Sequence, residues 1–101
     1  MQAIQIAKRY DAFRASIPCV GPRDMLVLTA GVRALGPEGV GEVLEMVQNF
    51  DDFNEDNDPW HEHDFGAFDY KGQRYFFKIE DHTETADGYR LVLTIMLASE
   101  Y

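Results

Sequence analysis

The residues best suited to chemistry lie in one stretch, Phe50 to Gly66, with the sequence FDDFNEDNDPWHEHDFG. It contains seven of the chain's 18 acidic residues, two of its three histidines and its only tryptophan, but no lysine or arginine. Carboxylates and imidazoles at this density can bind a metal ion, transfer protons, shape a turn or present negative charge to a partner. These four uses make different demands on the elements around the stretch.

Metal binding and catalysis both depend on the sequence His61-Glu62-His63-Asp64. His61, His63 and Asp64 are nitrogen and oxygen ligands that suit a divalent metal ion, which would give a hydrolytic site. In an extended segment His61 and His63 point to the same side. Without a metal, Glu62 or Asp64 beside a histidine can form an acid–base pair. The chain has no nucleophile motif and no glycine-rich phosphate loop, however, so a non-enzymatic protein is favoured.

The same residues can instead stabilise the stretch as a long turn. Their side chains can accept hydrogen bonds from backbone amides, and His63 can bond a neighbouring carboxylate. The polar residues expected in this role are Asp51, Asn54, Asn57, Asp58 and Asp64, and the rings expected beneath the turn are Phe53, Trp60 and Phe65.

A partner-binding surface is the interpretation that we favour. Carboxylates spaced along a loop can imitate a phosphate backbone, so the expected partner is a basic, nucleic-acid-binding surface of another protein. Trp60 would supply an aromatic residue of the kind that dominates binding energy at interfaces. The residues predicted to bind the partner are Asp51, Asp52, Glu55, Asp56, Asp58, Trp60 and Glu62.

Composition limits the other classes of function. The 101 residues fit a single domain, 1–101, and the net charge of −9 disfavours direct binding to nucleic acid. The charge is uneven, because residues 34–70 contain eleven acidic residues and no basic residue. We expect no membrane span, no secretory signal and no cofactor other than the alternative metal ion. The lone Cys19 excludes an intramolecular disulfide and fits the reducing cytoplasm.

Periodicity and turn residues predict the order α-β-α-β-β-β. A helix is expected over 3–16 and a second from 36 to 50, with a buried strand over 25–30 between them. Residues 51–64 are expected to form a loop, and the strands 65–70 and 73–79 to pair as a hairpin across Lys71-Gly72. The last strand is expected over 89–98.

These elements predict an α+β domain, a two-layer sandwich with both helices on one face of an antiparallel sheet of about four strands. The last strand is the most apolar segment and is expected to be central. If it lay at a sheet edge instead, it would allow a homodimer by pairing across a two-fold axis.

Three segments carry a resemblance to a known family: VLTAGV at 27–32, DNDPWHEHDFGAF at 56–68 and LTIMLASEY at 93–101. Together they resemble domain of unknown function 3768, a family of short bacterial proteins frequent in alphaproteobacteria and their mobile elements. The similarity extends over residues 23–101. The chain differs from the family in having a shorter turn at 80–88 and a histidine at position 61. It implies a bacterial, plasmid or phage origin and no particular activity. Small acidic proteins of that origin include inhibitors of the anti-CRISPR type, which is the role we expect.

Overall fold

The polypeptide forms a four-stranded sheet with helices packed against one face. The computed structural model describes residues 2–84 and 86–101. A short 3-10 helix, Ala98–Glu100, follows the last strand. The other helices and strands are, in chain order, α1 (Ala3–Ser16), β1 (Met25–Leu28), α2 (Ala30–Arg33), α3 (Gly36–Gln48), β2 (Phe65–Tyr70), β3 (Gln73–Asp81) and β4 (Leu91–Leu97). The predicted α+β class is confirmed.

The sheet is mixed, whereas an antiparallel sheet was predicted. Its strand order is β1-β4-β3-β2. The β2–β3 and β3–β4 pairs are antiparallel, but β1 runs parallel to β4, with Met25 opposite Val92. The chain leaves β1 through helices and reaches β4 only after a loop and a hairpin, so no tight turn dictates the direction of β1. A parallel pair requires such a long connection.

The most apolar strand, β4, lies between β1 and β3, as predicted. The edges of the sheet are β1 and β2. Pairing between copies of the chain needs a free edge, so β4 does not offer the two-fold contact considered above.

The structure contains a third helix that was not predicted. The strand predicted over 25–30 ends at Leu28, and α2 forms a single turn that begins at Ala30. So short a helix shows no 3.6-residue periodicity in the sequence. It is stabilised from a distance, because Glu100 Oε2 accepts a hydrogen bond of 2.9 Å from the Gly31 N–H. No helix in the described part of the chain is long and apolar enough to cross a membrane.

The two long helices cover the same face of the sheet, as predicted. Tyr10 and Phe13 of α1 and Val43 and Val47 of α3 are buried in one cluster with side chains of the sheet. The largest fully buried side chains that the sheet contributes are Phe77, Leu93 and Ile95. Because α1 and α3 share this core, the end of α3 and the loop that follows it lie close to α1, where the candidate site forms.

Candidate functional site

Residues 51–64 connect α3 to β2 without a helix or a strand, as predicted. Phe53 anchors the loop from below. Its ring packs edge-to-face against Phe50, with centroids 5.0 Å apart, and it stacks on the imidazole of His63 at 3.9 Å. The loop is therefore attached to the core of the domain through an aromatic residue near its beginning.

Two asparagines fix the first half of the loop. Asn54 Oδ1 accepts hydrogen bonds from the N–H groups of Asp56 (2.9 Å) and Asn57 (3.2 Å). Asn57 Oδ1 accepts one from the Asn54 N–H, and its amide nitrogen donates to the carbonyl oxygen of Asp52, both at 2.9 Å. These side chains replace the backbone pairing that a helix or strand would provide, which is the turn-forming role expected of asparagine.

Asp58 fixes the second half of the loop, which is the turn-forming role and not the partner-binding role of the two that were predicted for it. Its side chain is only 3% exposed. One carboxylate oxygen accepts hydrogen bonds of 3.0 Å from the N–H groups of both Glu62 and His63. His61 and His63 each have a φ of 58°, a left-handed conformation that is uncommon outside glycine and is maintained here by these bonds. Because Asp58 is buried and its carboxylate accepts hydrogen bonds within the loop, it does not belong to the surface that a partner can contact.

His63 faces a carboxylate at each ring nitrogen. Its Nδ1 lies 2.9 and 3.0 Å from the two carboxylate oxygens of Asp11, and its Nε2 lies 3.6 Å from Asp58 Oδ2. Nδ1 is therefore occupied by a carboxylate of the protein itself, and Nε2 faces a second carboxylate beyond hydrogen-bond distance. Within residues 2–84 and 86–101, no three His, Cys, Asp or Glu side chains are grouped to hold a metal ion, so His61, His63 and Asp64 are not brought together as ligands.

Arg14 links this histidine to the end of α3. Its guanidinium is buried, donates to the carbonyl oxygens of Val47 (3.0 Å) and Phe50 (2.9 Å), and also pairs with the carboxylate of Asp11. The two carbonyl groups lie at the C-terminal end of α3, where helical partners are lacking. A continuous series of contacts therefore runs from α3 through Arg14, Asp11 and His63 to the loop.

Asp11 and Arg14 were not identified from the sequence. Arg14 is nevertheless buried on the same side of α1 as Ala7 and Tyr10. One available signal was the spacing of Asp11 and Arg14, three residues apart with opposite charge, which places them on one helix face. Another signal was the spacing of Arg14, which follows Ala7 by seven residues and Tyr10 by four. This spacing places all three residues on one face of a helix.

The other predicted partner-binding residues lie on the outside of the loop. Asp51, Asp52, Glu55 and Asp56 are exposed, and Glu62 is half-buried. Among the described residues, none of these five carboxylates forms an ion pair or a side-chain hydrogen bond. Trp60, which was also considered as a ring beneath the turn, instead faces solvent with 75% of its surface exposed. We call this surface the acidic outer face; it consists of Asp51, Asp52, Glu55, Asp56, Trp60 and Glu62.

The negative charge of the loop extends to α1. Burial raises the pKa of the Tyr10 hydroxyl above its usual 10.0, and the negative charge of Asp81 raises it further. The carboxylates of Glu62 and Asp64 act on this pKa in the same direction. The neighbouring Arg9 guanidinium lowers this pKa, so the carboxylates of the loop act on Tyr10 beside a basic residue of α1.

Comparison with known proteins gives one match. The model of a family described as "Protein of unknown function (DUF3768)" matches residues 28–100. No curated protein and no solved structure matches the chain. The matched region contains the whole 51–64 loop and the strands β2, β3 and β4, while α1, with Asp11 and Arg14, and all of β1 except Leu28 lie before it. Since the match covers more than half of the residues, the chain belongs to the DUF3768 family.

Proposed function

We propose that this protein is a small, non-enzymatic interaction protein that binds a basic surface of another protein through its acidic outer face. One observation carries the proposal: a highly exposed tryptophan stands among carboxylates that have no basic partner in the described part of the chain. Trp60 leaves 75% of its surface exposed to water. Tryptophan is also one of the residue types that contribute most to the binding energy of protein interfaces. Together these groups form a surface that a basic, partly apolar partner complements.

The order of the loop supports this function. Binding costs free energy when a flexible segment must become fixed in the complex. Here Asn54, Asn57 and Asp58 fix the backbone through their side chains. The charges on the outside are therefore presented in a fixed arrangement, and less conformational entropy is lost when the partner binds.

The net charge of −9 favours one class of partner. A polyanion is repelled by phosphate groups and attracted to the Lys- and Arg-rich surfaces that bind them. We therefore propose that the partner's basic surface is one that binds nucleic acid, and that this protein competes for it. A plasmid- or phage-encoded inhibitor of the anti-CRISPR type, acting in the bacterial cytoplasm, would be one instance.

The alternative function, a metal-dependent hydrolytic site at His61, His63 and Asp64, has no specific observation in its favour. Both ring nitrogens of His63 face carboxylates of the protein itself. We therefore do not propose a metal-dependent function for this protein.

The proposal can be tested by affinity capture from a bacterial extract. The double variant Asp52→Asn/Asp56→Asn removes two charges from the acidic outer face. The matched control, Glu38→Gln/Glu45→Gln, removes two charges from exposed positions of α3. Wild type and control are expected to retain the same basic proteins, and the loop variant is expected to lose them. Retained proteins are identified by mass spectrometry.

The same capture is repeated with nucleic acid added as a competitor. Nucleic acid is expected to displace the wild-type protein, since both occupy one basic surface. If all three proteins retain the same partners, or if a retained partner binds nucleic acid and this protein together, the proposed function is wrong.

A further inference from the structure

A groove of about 460 Å³ lies beside the acidic outer face. Its sides are two aromatic rings, Trp60 and Tyr101, which are 75% and 78% exposed. Phe65 also lines the groove. Trp60 and Tyr101 are two of the three large hydrophobic residues that are exposed in the described part of the chain, and they line the same groove.

The Tyr101 side of the groove is held in place by neighbouring residues. The Tyr101 ring packs edge-to-face on Phe76, with centroids 5.6 Å apart, and on Phe65 at 6.3 Å. The preceding residue, Glu100, accepts hydrogen bonds from the Thr29 hydroxyl at 2.6 Å and from the Gly31 N–H at 2.9 Å. The Tyr101 ring is therefore exposed to solvent, although it packs on two other rings and follows a residue that is fixed by hydrogen bonds.

The Trp60 side is fixed by the loop. Asp58 accepts a hydrogen bond from the His61 N–H through its backbone oxygen at 3.1 Å, and two more from Glu62 and His63 through its carboxylate. These bonds bracket Trp60 on both sides in the sequence. The tryptophan is therefore presented to solvent by an ordered backbone.

The charges of the groove leave one carboxylate unbalanced. Lys78 and Glu80 both line the groove and pair with each other at 3.4 Å, so their charges offset. Asp64 also lines it, and within residues 2–84 and 86–101 its side chain has no ion pair or hydrogen bond. The groove thus combines aromatic sides with one unpaired negative charge.

We propose that this groove binds an arginine side chain of the basic partner, with its guanidinium stacked on Trp60 or Tyr101 and paired with Asp64. This proposal rests on the function proposed above and identifies the contact that anchors it. A guanidinium is flat, stacks on aromatic faces and donates two parallel hydrogen bonds to a carboxylate. An ammonium group is compact and more strongly hydrated, so lysine fits this combination less well. A nucleic-acid base could also stack, but its phosphates would meet Asp64 and the acidic outer face.

The only tryptophan of the chain lies in the groove, so its fluorescence reports occupancy directly. The probe is a tetra-arginine peptide, compared with tetra-lysine and with tetra-citrulline, in which the side chains keep their shape but lose their charge. The arginine peptide is expected to change Trp60 emission at concentrations about tenfold lower than the lysine peptide. The citrulline peptide is expected to have no effect at these concentrations. Equal effects of the arginine and lysine peptides would overturn the proposal.

Variants of the groove localise the contact. Tyr101→Ala and Asp64→Asn are each expected to weaken tetra-arginine binding about tenfold. The controls are Tyr101→Phe, which keeps the ring, and Glu38→Gln, which removes one charge from α3; each is expected to change binding less than about twofold. The amide NMR spectrum of every variant is compared with wild type, and Asp64→Asn keeps the test valid if Tyr101→Ala is poorly folded.

The acidic outer-face variant Asp52→Asn/Asp56→Asn separates the two proposals. If it weakens peptide binding and the groove variants do not, the arginine groove is wrong while the proposed function stands. If the groove variants weaken binding by the expected amount, the arginine groove is supported. If neither set of variants has an effect, both proposals are contradicted.

Discussion

Two aspartates of the loop, Asp56 and Asp58, have the same side chain and opposite surroundings. Asp56 is exposed, and its carboxylate has no partner among the described residues, so its charge is available to another molecule. Asp58 is buried and accepts two backbone hydrogen bonds, so its charge serves the loop itself. At the scale of single residues, the site is therefore divided between carboxylates that stabilise the loop and carboxylates that it presents.

This division predicts different effects on stability. Asp58→Ala leaves two partly buried N–H groups without an acceptor and is expected to lower the free energy of unfolding by about 2–4 kcal/mol. Asp56→Ala is the matched control and is expected to change it by less than about 0.5 kcal/mol. Denaturant unfolding measures both values. Similar losses for the two variants would show that Asp58 does not stabilise the loop.

His63→Ala tests the structural role of the histidine against the metal hypothesis. The variant loses the stacking on Phe53 and the bond to Asp11, so it is expected to lower the free energy of unfolding by about 1–3 kcal/mol. The metal content of protein purified without a histidine tag or chelator is measured by elemental analysis for wild type and variant. We expect no difference in metal content. Near-stoichiometric metal in the wild type that is lost from His63→Ala would restore the hydrolytic alternative.

Glu100 predicts a dependence of stability on pH. A hydrogen bond from the Thr29 hydroxyl, followed by those from the Leu97 and Gly31 N–H groups, lowers the pKa of Glu100 below its usual 4.5. A carboxylate with a lowered pKa stabilises the folded state above its unfolded pKa, and this contribution disappears as the pH falls through the folded pKa. Glu100→Gln is therefore expected to lower Tm at pH 7, with the difference from wild type closing at a pH well below the usual pKa of 4.5. A difference in Tm that is constant between these two pH values would contradict this role.

Close contacts between elements explain why a glycine stands in β2. A Cβ at Gly66 would lie 2.2 Å from the Phe77 ring and 2.7 Å from the Phe50 ring. The Phe50 ring also packs on Phe53, so the backbone of β2 at Gly66 supports the aromatic residues beneath the loop. At the scale of elements, the beginning of the loop and the start of β2 are therefore packed as one unit.

Gly66→Ala is expected to lower the free energy of unfolding by about 2 kcal/mol or more, because the buried Phe77 ring and the half-buried Phe50 ring must both move. Gly41→Ala provides the matched control within α3. Its Cβ would have no other atom within 4 Å, and alanine favours the helix, so an increase of about 0.5–1 kcal/mol is expected. Thermal or denaturant unfolding gives both values. A stable Gly66→Ala variant would show that the packing at β2 can relax.

Elements with a local signal were predictable, and those that depend on distant contacts were not. The helices α1 and α3 follow from apolar periodicity, and the β2–β3 hairpin follows from Lys71-Gly72, whose φ values of 50° and 79° match a two-residue turn. The parallel direction of β1 and the single turn of α2 have no such signal. Both depend on residues far along the chain, β4 in one case and Glu100 in the other.

The candidate site shows the same limit. The sequence identified residues 51–64 as the loop of interest, and its acidic residues as candidates, from composition alone. It did not show which carboxylates are exposed. That distribution depends on His63, which bonds Asp11 from 52 residues away in the chain, and on Arg14, which binds the end of α3. A spacing rule cannot predict contacts over this separation.

The whole molecule is strongly asymmetric in charge. Residues 34–70 contain eleven acidic residues and no basic one, and they form α3, the loop and β2. Such a field accelerates encounter with a basic surface and disfavours contact with nucleic acid. At this scale the exposed aromatic residues add short-range contacts to a long-range attraction, which is the combination expected of a protein that must find and then hold a basic partner.

The most direct test of the central claim is the dissociation constant of a captured partner, measured by calorimetry at about 0.1 M and about 1 M NaCl. If the acidic outer face forms the interface, affinity should fall by at least about tenfold at the higher salt concentration. Asp52→Asn/Asp56→Asn should bind more weakly and depend less on salt, and Glu38→Gln/Glu45→Gln should behave like wild type. An affinity that is independent of salt and equal in all three proteins would contradict the account.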